Sequence, residues 1–158
     1  MENNVENNAM RKLLILLMPM LLTACVNDSA SYYIDGRDYA LSVRRQQDYF
    51  WQDQANVTLM VSHLPDCQRR HTLATAVAED VKVEVFAAGD GLWNIRLGNQ
   101  LWQAETNTCN KLVELQNDPK ADLGQPVGAF EVQDDNKLVF VPESGAPAGA
   151  AGTTAPAQ

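Results

Sequence analysis

Apolar and polar residues alternate along most of the middle of the chain with a period of two. In residues 39–43, "YALSV", Tyr39, Leu41 and Val43 share one side if the backbone is extended, because successive side chains of a strand point to opposite faces. Residues 57–64, "VTLMVSHL", repeat the pattern with Val57, Leu59 and Val61. Between them lies "DYFWQD", 48–53, three aromatics in a row between acidic neighbours. "LPDC", 64–67, ends that section with a Pro-Asp turn signal.

The pattern is clearest over 81–104. "VKVEVF" puts Val81, Val83 and Val85 on one face, "AAGDG" is a turn, and "LWNIRL" aligns Trp93, Ile95 and Leu97. Gly98-Asn99 is a two-residue hairpin signal, and "QLWQA" leads back. Pairing about Gly98-Asn99 sets Ile95 opposite Trp102 and Trp93 opposite Ala104. Pairing about Gly89 sets Val85 opposite Trp93 and Val83 opposite Ile95. Both turns send the apolar residues to the same side, although neither constrains the other. A three-stranded antiparallel meander is predicted, with Trp93 and Trp102 in the core. Lys82, Glu84, Asn94, Arg96 and Gln103 then fall on the solvated face.

"FEVQDDNKLVFV", 130–141, predicts another hairpin. A turn at Asp135-Asn136 sets Val132 opposite Val139 and Phe130 opposite Val141. "TLATAVAED", 72–80, reads as a strand, with a short helix as the alternative, because Ala favours helix weakly while the surrounding strands favour sheet. Pro119, Gly124, Pro126 and Gly128 mark a stretch of turns and loop. No repeat of fixed period appears. These elements predict one all-β domain over residues 37–141, a small antiparallel β-meander folded as a sandwich or a partly open barrel. The alternative is an α+β domain with 72–80 or 111–116 helical. The chain's 158 residues suit a single domain, and 46% hydrophobic residues suffice for a packed core. From residue 142, "PESGAPAGAAGTTAPAQ" has too little apolar bulk to offset its ordering entropy. It reads as a disordered tail, or as a spacer exposed to a partner.

The front of the chain is different. An unbroken apolar run, "LLILLMPMLLTA", follows Arg11 and Lys12. At about 12 residues it is too short to cross a bilayer, which takes roughly 20. Basic residues, an apolar stretch and small residues at its end are the layout of a secretory signal. The preceding "MENNVENNA" is acidic and Asn-rich, odd for such a signal, so Met10 competes with Met1 as the true start. "LTAC", 22–25, resembles the lipobox of bacterial lipoproteins: an aliphatic residue, a hydroxylated or small residue, a small residue, then cysteine. The resemblance covers the leader (1–24) and the first mature residue. It implies a diacylglyceryl group on the Cys25 thiol, cleavage before Cys25, and acylation of the new amine. Sulfur is the nucleophile that takes the lipid, and two or three acyl chains make a stable anchor where one does not. Residues 25–36 then read as a lipidated polar linker. In many lipoproteins an aspartate right after the cysteine retains the protein at the inner membrane. Val26 stands there, with Asn27 and Asp28 beyond, so the resemblance implies the periplasmic face of the outer membrane.

Charge narrows the partners. The formal charge is −8, and Arg11 and Lys12 of the leader cancel Glu2 and Glu6, so the mature part carries the whole deficit. Nucleic acid is an unsuitable partner for an acidic domain. Anionic lipid would not attract it either, so membrane attachment falls to the lipid on Cys25.

With Cys25 consumed by lipid, Cys67 and Cys109 remain, and an even pair in an exported domain reads as a disulfide. The alternative is metal, since His63 and His71 stand four residues either side of Cys67. A structural zinc site needs four ligands in compact pairs, and "CNK" after Cys109 supplies none, so neither metal nor other cofactor is expected. No nucleophile elbow, zinc-protease motif, phosphate loop or dinucleotide fingerprint occurs. Tyr49 and Trp51 are candidate ligand-binding residues, a stacking platform for a sugar or peptide, with core packing as the competing reading. Arg69 and Arg70 in "CQRRH" form a cationic cluster suited to an acidic partner or lipid headgroup, and otherwise a solvated loop. Arg44 and Arg45 extend it if the strands bring them together. The expected function is a lipid-anchored binding or scaffolding module whose partner is an envelope protein, peptidoglycan or a small ligand. A periplasmic enzyme or small-ligand carrier with a site near Tyr49 and Trp51 is the alternative.

Overall fold

The computed structural model describes residues 26–116, 118, 121–144 and 151–152. Residues 1–25, which hold the predicted signal peptide and Cys25, lie outside the described residues. Alternation does produce strands: β1 (Asn27–Asp35), β2 (Tyr39–Gln46), β3 (Gln54–His63), β4 (Cys67–Val77), β5 (Lys82–Gly89), β6 (Leu92–Leu97), β7 (Gln100–Glu105), β8 (Leu112–Leu115), β9 (Gln125–Val132), β10 (Leu138–Pro142) and β11 (Ala151–Gly152). There is no helix among the described residues. All ladders are antiparallel, in a five-stranded sheet ordered β11-β1-β2-β3-β4 and a six-stranded sheet ordered β10-β9-β5-β6-β7-β8. The fold is all-β, with two hydrogen-bonded sheets sharing a core.

The inner faces meet as the alternation requires. Leu41, Val43, Val57, Leu59 and Val61 from one sheet pack with Val83, Val85, Ile95, Phe130 and Leu138 from the other. Trp93 and Trp102 are 7% and 5% exposed, in the core as predicted. An aromatic chain bridges the sheets: Tyr32 of β1 meets Trp93 edge-on at 5.9 Å and Phe140 at 4.8 Å, and Phe140 meets Phe130 at 4.9 Å. Burial raises the Tyr32 phenol above its ordinary pKa.

The β6–β7 hairpin has the predicted register, Ile95 opposite Trp102 and Trp93 opposite Ala104. The β5–β6 hairpin keeps its faces but shifts by two residues: Val85 faces Ile95 and Val83 faces Leu97. The turn centres one residue later, on Asp90 and Gly91, both at positive φ, with a bulge between Ala87 and Gly89. The β9–β10 hairpin shifts by one, which exchanges faces. Leu138, not Val139, faces Val132, and Phe140 faces Phe130. Gln133 pairs with Lys137 around residues 134–136, and Asn136 takes a left-handed conformation. The connection is therefore a three-residue loop instead of a two-residue turn.

Two segments differ from the sequence reading. Residues expected in the linker form β1, a full strand beside β2. Of the tail, Pro142 closes β10, and Ala151 and Gly152 pair with Tyr32 and Ser31; residues 145–150 and 153–158 lie outside the described residues. Cys67 and Cys109 form a disulfide with Cα atoms 5.9 Å apart, 42 residues apart in sequence.

Candidate functional site

The β2–β3 connection carries the aromatic triplet. Both strands bury every second residue against the other sheet, but Tyr49, Phe50 and Trp51 fall in the turn between them, beyond its cover. They are 52%, 59% and 66% exposed. Core packing of these rings, the competing reading, does not occur. Tyr49 stacks on Trp51 at 4.9 Å and 15°, and Phe50 meets Trp51 at 4.8 Å and 83°. The backbone is pinned below the rings. Gln52 N–H donates to the Tyr49 carbonyl at 3.1 Å, and Gln47 Nε2 donates to the Gln52 carbonyl at 2.6 Å. Asn56 Nδ2 donates to Asp48 Oδ2 at 3.0 Å.

Beside the triplet is a partly open groove of about 520 Å³, lined by Asp48, Gln52, Asp53, Gln54, Asn56, Thr75 and Val77. Its carboxylates and amides can accept and donate hydrogen bonds, and its one aliphatic wall, Val77, is exposed. The groove and the rings form the most chemically distinctive surface among the described residues.

The remaining predicted site residues lie elsewhere. Arg69 and Arg70 are exposed on edge strand β4, opposite Val61 and Met60. The aromatic loop adjoins the other end of β3, where Gln54 faces Val77. Six or more strand positions separate the two groups, roughly 20 Å at the usual rise, so they do not form one site. Nor does Arg45 extend the cationic patch. It is fully buried, and its guanidinium binds Asp28 at 2.7 and 3.0 Å. It also donates to the Asn136 carbonyl at 2.6 Å and to the Ala78 carbonyl. The guanidinium reaches β1, the β4–β5 connection and the β9–β10 loop at once. Arg44 instead donates to Asn27 Oδ1 at 2.9 Å.

The histidines serve the disulfide corner. His63 Nδ1 lies 3.2 Å from the Thr106 carbonyl and the ring stacks on Tyr39 at 4.4 Å. His71 Nε2 lies 2.8 Å from the Cys109 carbonyl. Glu105 accepts from Thr108 N–H at 2.7 Å and Thr108 Oγ1 at 2.6 Å, and these bonds hold its pKa below the ordinary glutamate value. No group of three or more His, Cys, Asp or Glu among the described residues is arranged to hold a metal ion.

The outer face of the six-stranded sheet is mostly the predicted polar face. Arg96 bonds Glu84 at 2.6 Å, which lowers the Glu84 pKa, and its guanidinium lies 5.3 Å from the Phe86 ring centroid. Asn94, expected in solvent, is buried: its amide donates to the Leu123 carbonyl at 2.9 Å and accepts from Gln103 at 3.1 Å. Sequence reasoning missed this because alternation assigns a face and not what later packs on it.

No protein-family model, curated protein or solved structure matches the chain.

Proposed function

We propose that the chain is a bacterial lipoprotein, acylated at Cys25, whose β-sandwich is a binding or scaffolding module at the periplasmic face of the outer membrane. The partner is an envelope component, protein or peptidoglycan, and not nucleic acid. The observation that carries the contact role is the solvent-exposed cluster of Tyr49, Phe50 and Trp51 beside a carboxylate- and amide-lined groove: the rings mark a docking face at the anchored end, and the polar groups of the groove are what the envelope partner meets. Large apolar rings held in water by a rigid frame are characteristic of contact surfaces. The lipobox "LTAC" behind a basic and apolar leader supports the anchor. The enzyme alternative draws less support, because the groove is partly open to water where catalysis favours an enclosed, water-excluding site.

The anchor is tested by labelling cells with palmitate and comparing wild type with Cys25→Ser. The wild-type chain takes up label and fractionates with the outer membrane. The variant loses both. Equal labelling of the two removes the lipoprotein reading.

A further inference from the structure

We infer that residues 48–53 are a membrane-seated foot: the rings of Tyr49, Phe50 and Trp51 enter the interfacial layer of the bilayer that holds the lipid of Cys25, against zwitterionic headgroups. This rests on the proposed acylation of Cys25.

Proximity carries the inference. Val26 N–H donates to Gln47 Oε1 at 3.1 Å, and Gln47 N–H donates to the Val26 carbonyl at 2.8 Å. Residue 25 is one peptide away, about 3.8 Å between Cα atoms. The same Gln47 side chain donates to the Gln52 carbonyl inside the aromatic loop at 2.6 Å. One glutamine therefore ties the chain's entry into the fold to the loop that presents the rings. β1 starts at Asn27, paired with Gln46, so no slack remains between an acylated Cys25 and the folded domain. Acyl chains inserted from residue 25 bring this end of the sandwich, and no other, onto the bilayer.

The shape of the cluster suits a bilayer. Tyr49 and Phe50 both contact Trp51, one face to face and one at a right angle. The result is a self-packed convex knob, whereas a sugar stacks on an open ring face. Amphipathic Trp and Tyr rings favour the headgroup level, where an apolar body and a polar tip are both accommodated. The acyl chains provide the affinity and the rings fix the orientation.

Charge selects the headgroup. Asp48 and Asp53 flank the rings, and the Ala78 N–H bond to the Asp53 carbonyl at 2.8 Å brings exposed Glu79 and Asp80 to the same end. Carboxylates repel an anionic surface, but they complement the outward ammonium of a zwitterionic headgroup, and ring faces attract such cations as well. With this end down, the β3–β4 turn and Arg69–Arg70 stand roughly 20 Å out from the surface, directed at the periplasm.

The test uses the full chain purified from membranes and reconstituted into phosphatidylcholine vesicles carrying brominated acyl chains. Trp93 and Trp102 are buried, so the Trp51→Phe variant supplies their background. Trp51 fluorescence is expected to be blue-shifted and quenched by the bromines, and the quenching to be lost in Trp51→Phe. In the unacylated Cys25→Ser chain, Trp51→Ser is expected to lower partitioning onto the same vesicles about tenfold, from the apolar area withdrawn. The mass of the mature chain reads the anchor separately. Acylated Cys25 with unquenched Trp51 overturns the foot and leaves the lipoprotein reading standing. Quenched Trp51 on an unacylated Cys25 removes the lipoprotein reading and, with it, the premise that the acyl chains bring this end down, and so overturns the anchored foot. Stronger binding to anionic than to zwitterionic vesicles overturns the headgroup assignment. A Trp51 response to an N-acetylglucosamine oligomer without vesicles overturns the foot in favour of a glycan site.

Discussion

Arg45 shows how much one residue can settle. Its guanidinium is fully enclosed, and Asp28 bridges onward by accepting the Leu138 N–H at 2.9 Å. Removing Asp28 leaves the buried guanidinium with carbonyl partners but no counter-charge, and removing Arg45 leaves a carboxylate that is 20% exposed and keeps the Leu138 N–H, so each loss costs about 3 kcal/mol, the lower end for a broken buried pair. Arg45→Met and Asp28→Leu are each expected to lose that much in urea unfolding, and the double variant to lose clearly less than the sum. Additive losses would show that the pair is not coupled. In the sequence Arg45 looks like half of an exposed Arg-Arg dipeptide. Its place on the inward face, in step with Leu41 and Val43, was legible from alternation, but its partner 17 residues away was not. The exposure of Tyr49, Phe50 and Trp51 was equally hidden. Alternation assigns faces within a strand and is silent in a turn.

At the scale of elements, the strands were largely readable because a period of two is imposed by burial on one face. Registers were readable only where the turn chemistry was unambiguous. Gly98-Asn99 gave a correct pairing, whereas "AAGDG" and "QDDNK" each contain several residues that tolerate a left-handed backbone, and the selected position depends on packing across the sheet. β1 escaped notice because Ser29, Ser31 and Tyr33 face away from the core, while its inward positions are Asp28, which is charged, Ala30, which is small, Tyr32 and Ile34, too weak an apolar signal to mark a strand. Gly128 tests the β9–β10 arrangement. A Cβ there would collide with the Val141 carbonyl and come within 2.7 Å of the Phe140 ring. Gly128→Ala is expected to cost about 1–3 kcal/mol by overpacking and to speed hydrogen exchange along β10. An unchanged unfolding midpoint would contradict that packing.

For the whole molecule, the two ends of the sandwich are closed by different means, and this sets its response to pH. One end is gathered by Arg45 and Asp28. The other is stapled by Cys67–Cys109, which closes a loop worth about 4 kcal/mol in the chain-entropy account and whose turn is held by Glu105. Glu105 and Glu84 both have pKa values lowered in the fold, by bonds from Thr108 and from Arg96 respectively. A lowered carboxyl binds protons less readily in the folded than in the unfolded chain, so its contribution is complete above the ordinary value of 4.5. That contribution disappears as pH falls through the folded-state value. Tyr32 has the opposite shift: its contribution is present below the ordinary phenol value of 10.0 and is lost as pH rises through the raised one. The urea midpoint should therefore stay level through neutral pH and fall toward both extremes. Glu105→Gln should flatten part of the acid limb and speed exchange of the Thr108 amide, while leaving the alkaline limb unchanged. Tyr32→Phe should do the reverse, flattening the alkaline limb alone. An acid limb that Glu105→Gln leaves intact would mean that the Thr108 bonds do not contribute to holding the stapled end together.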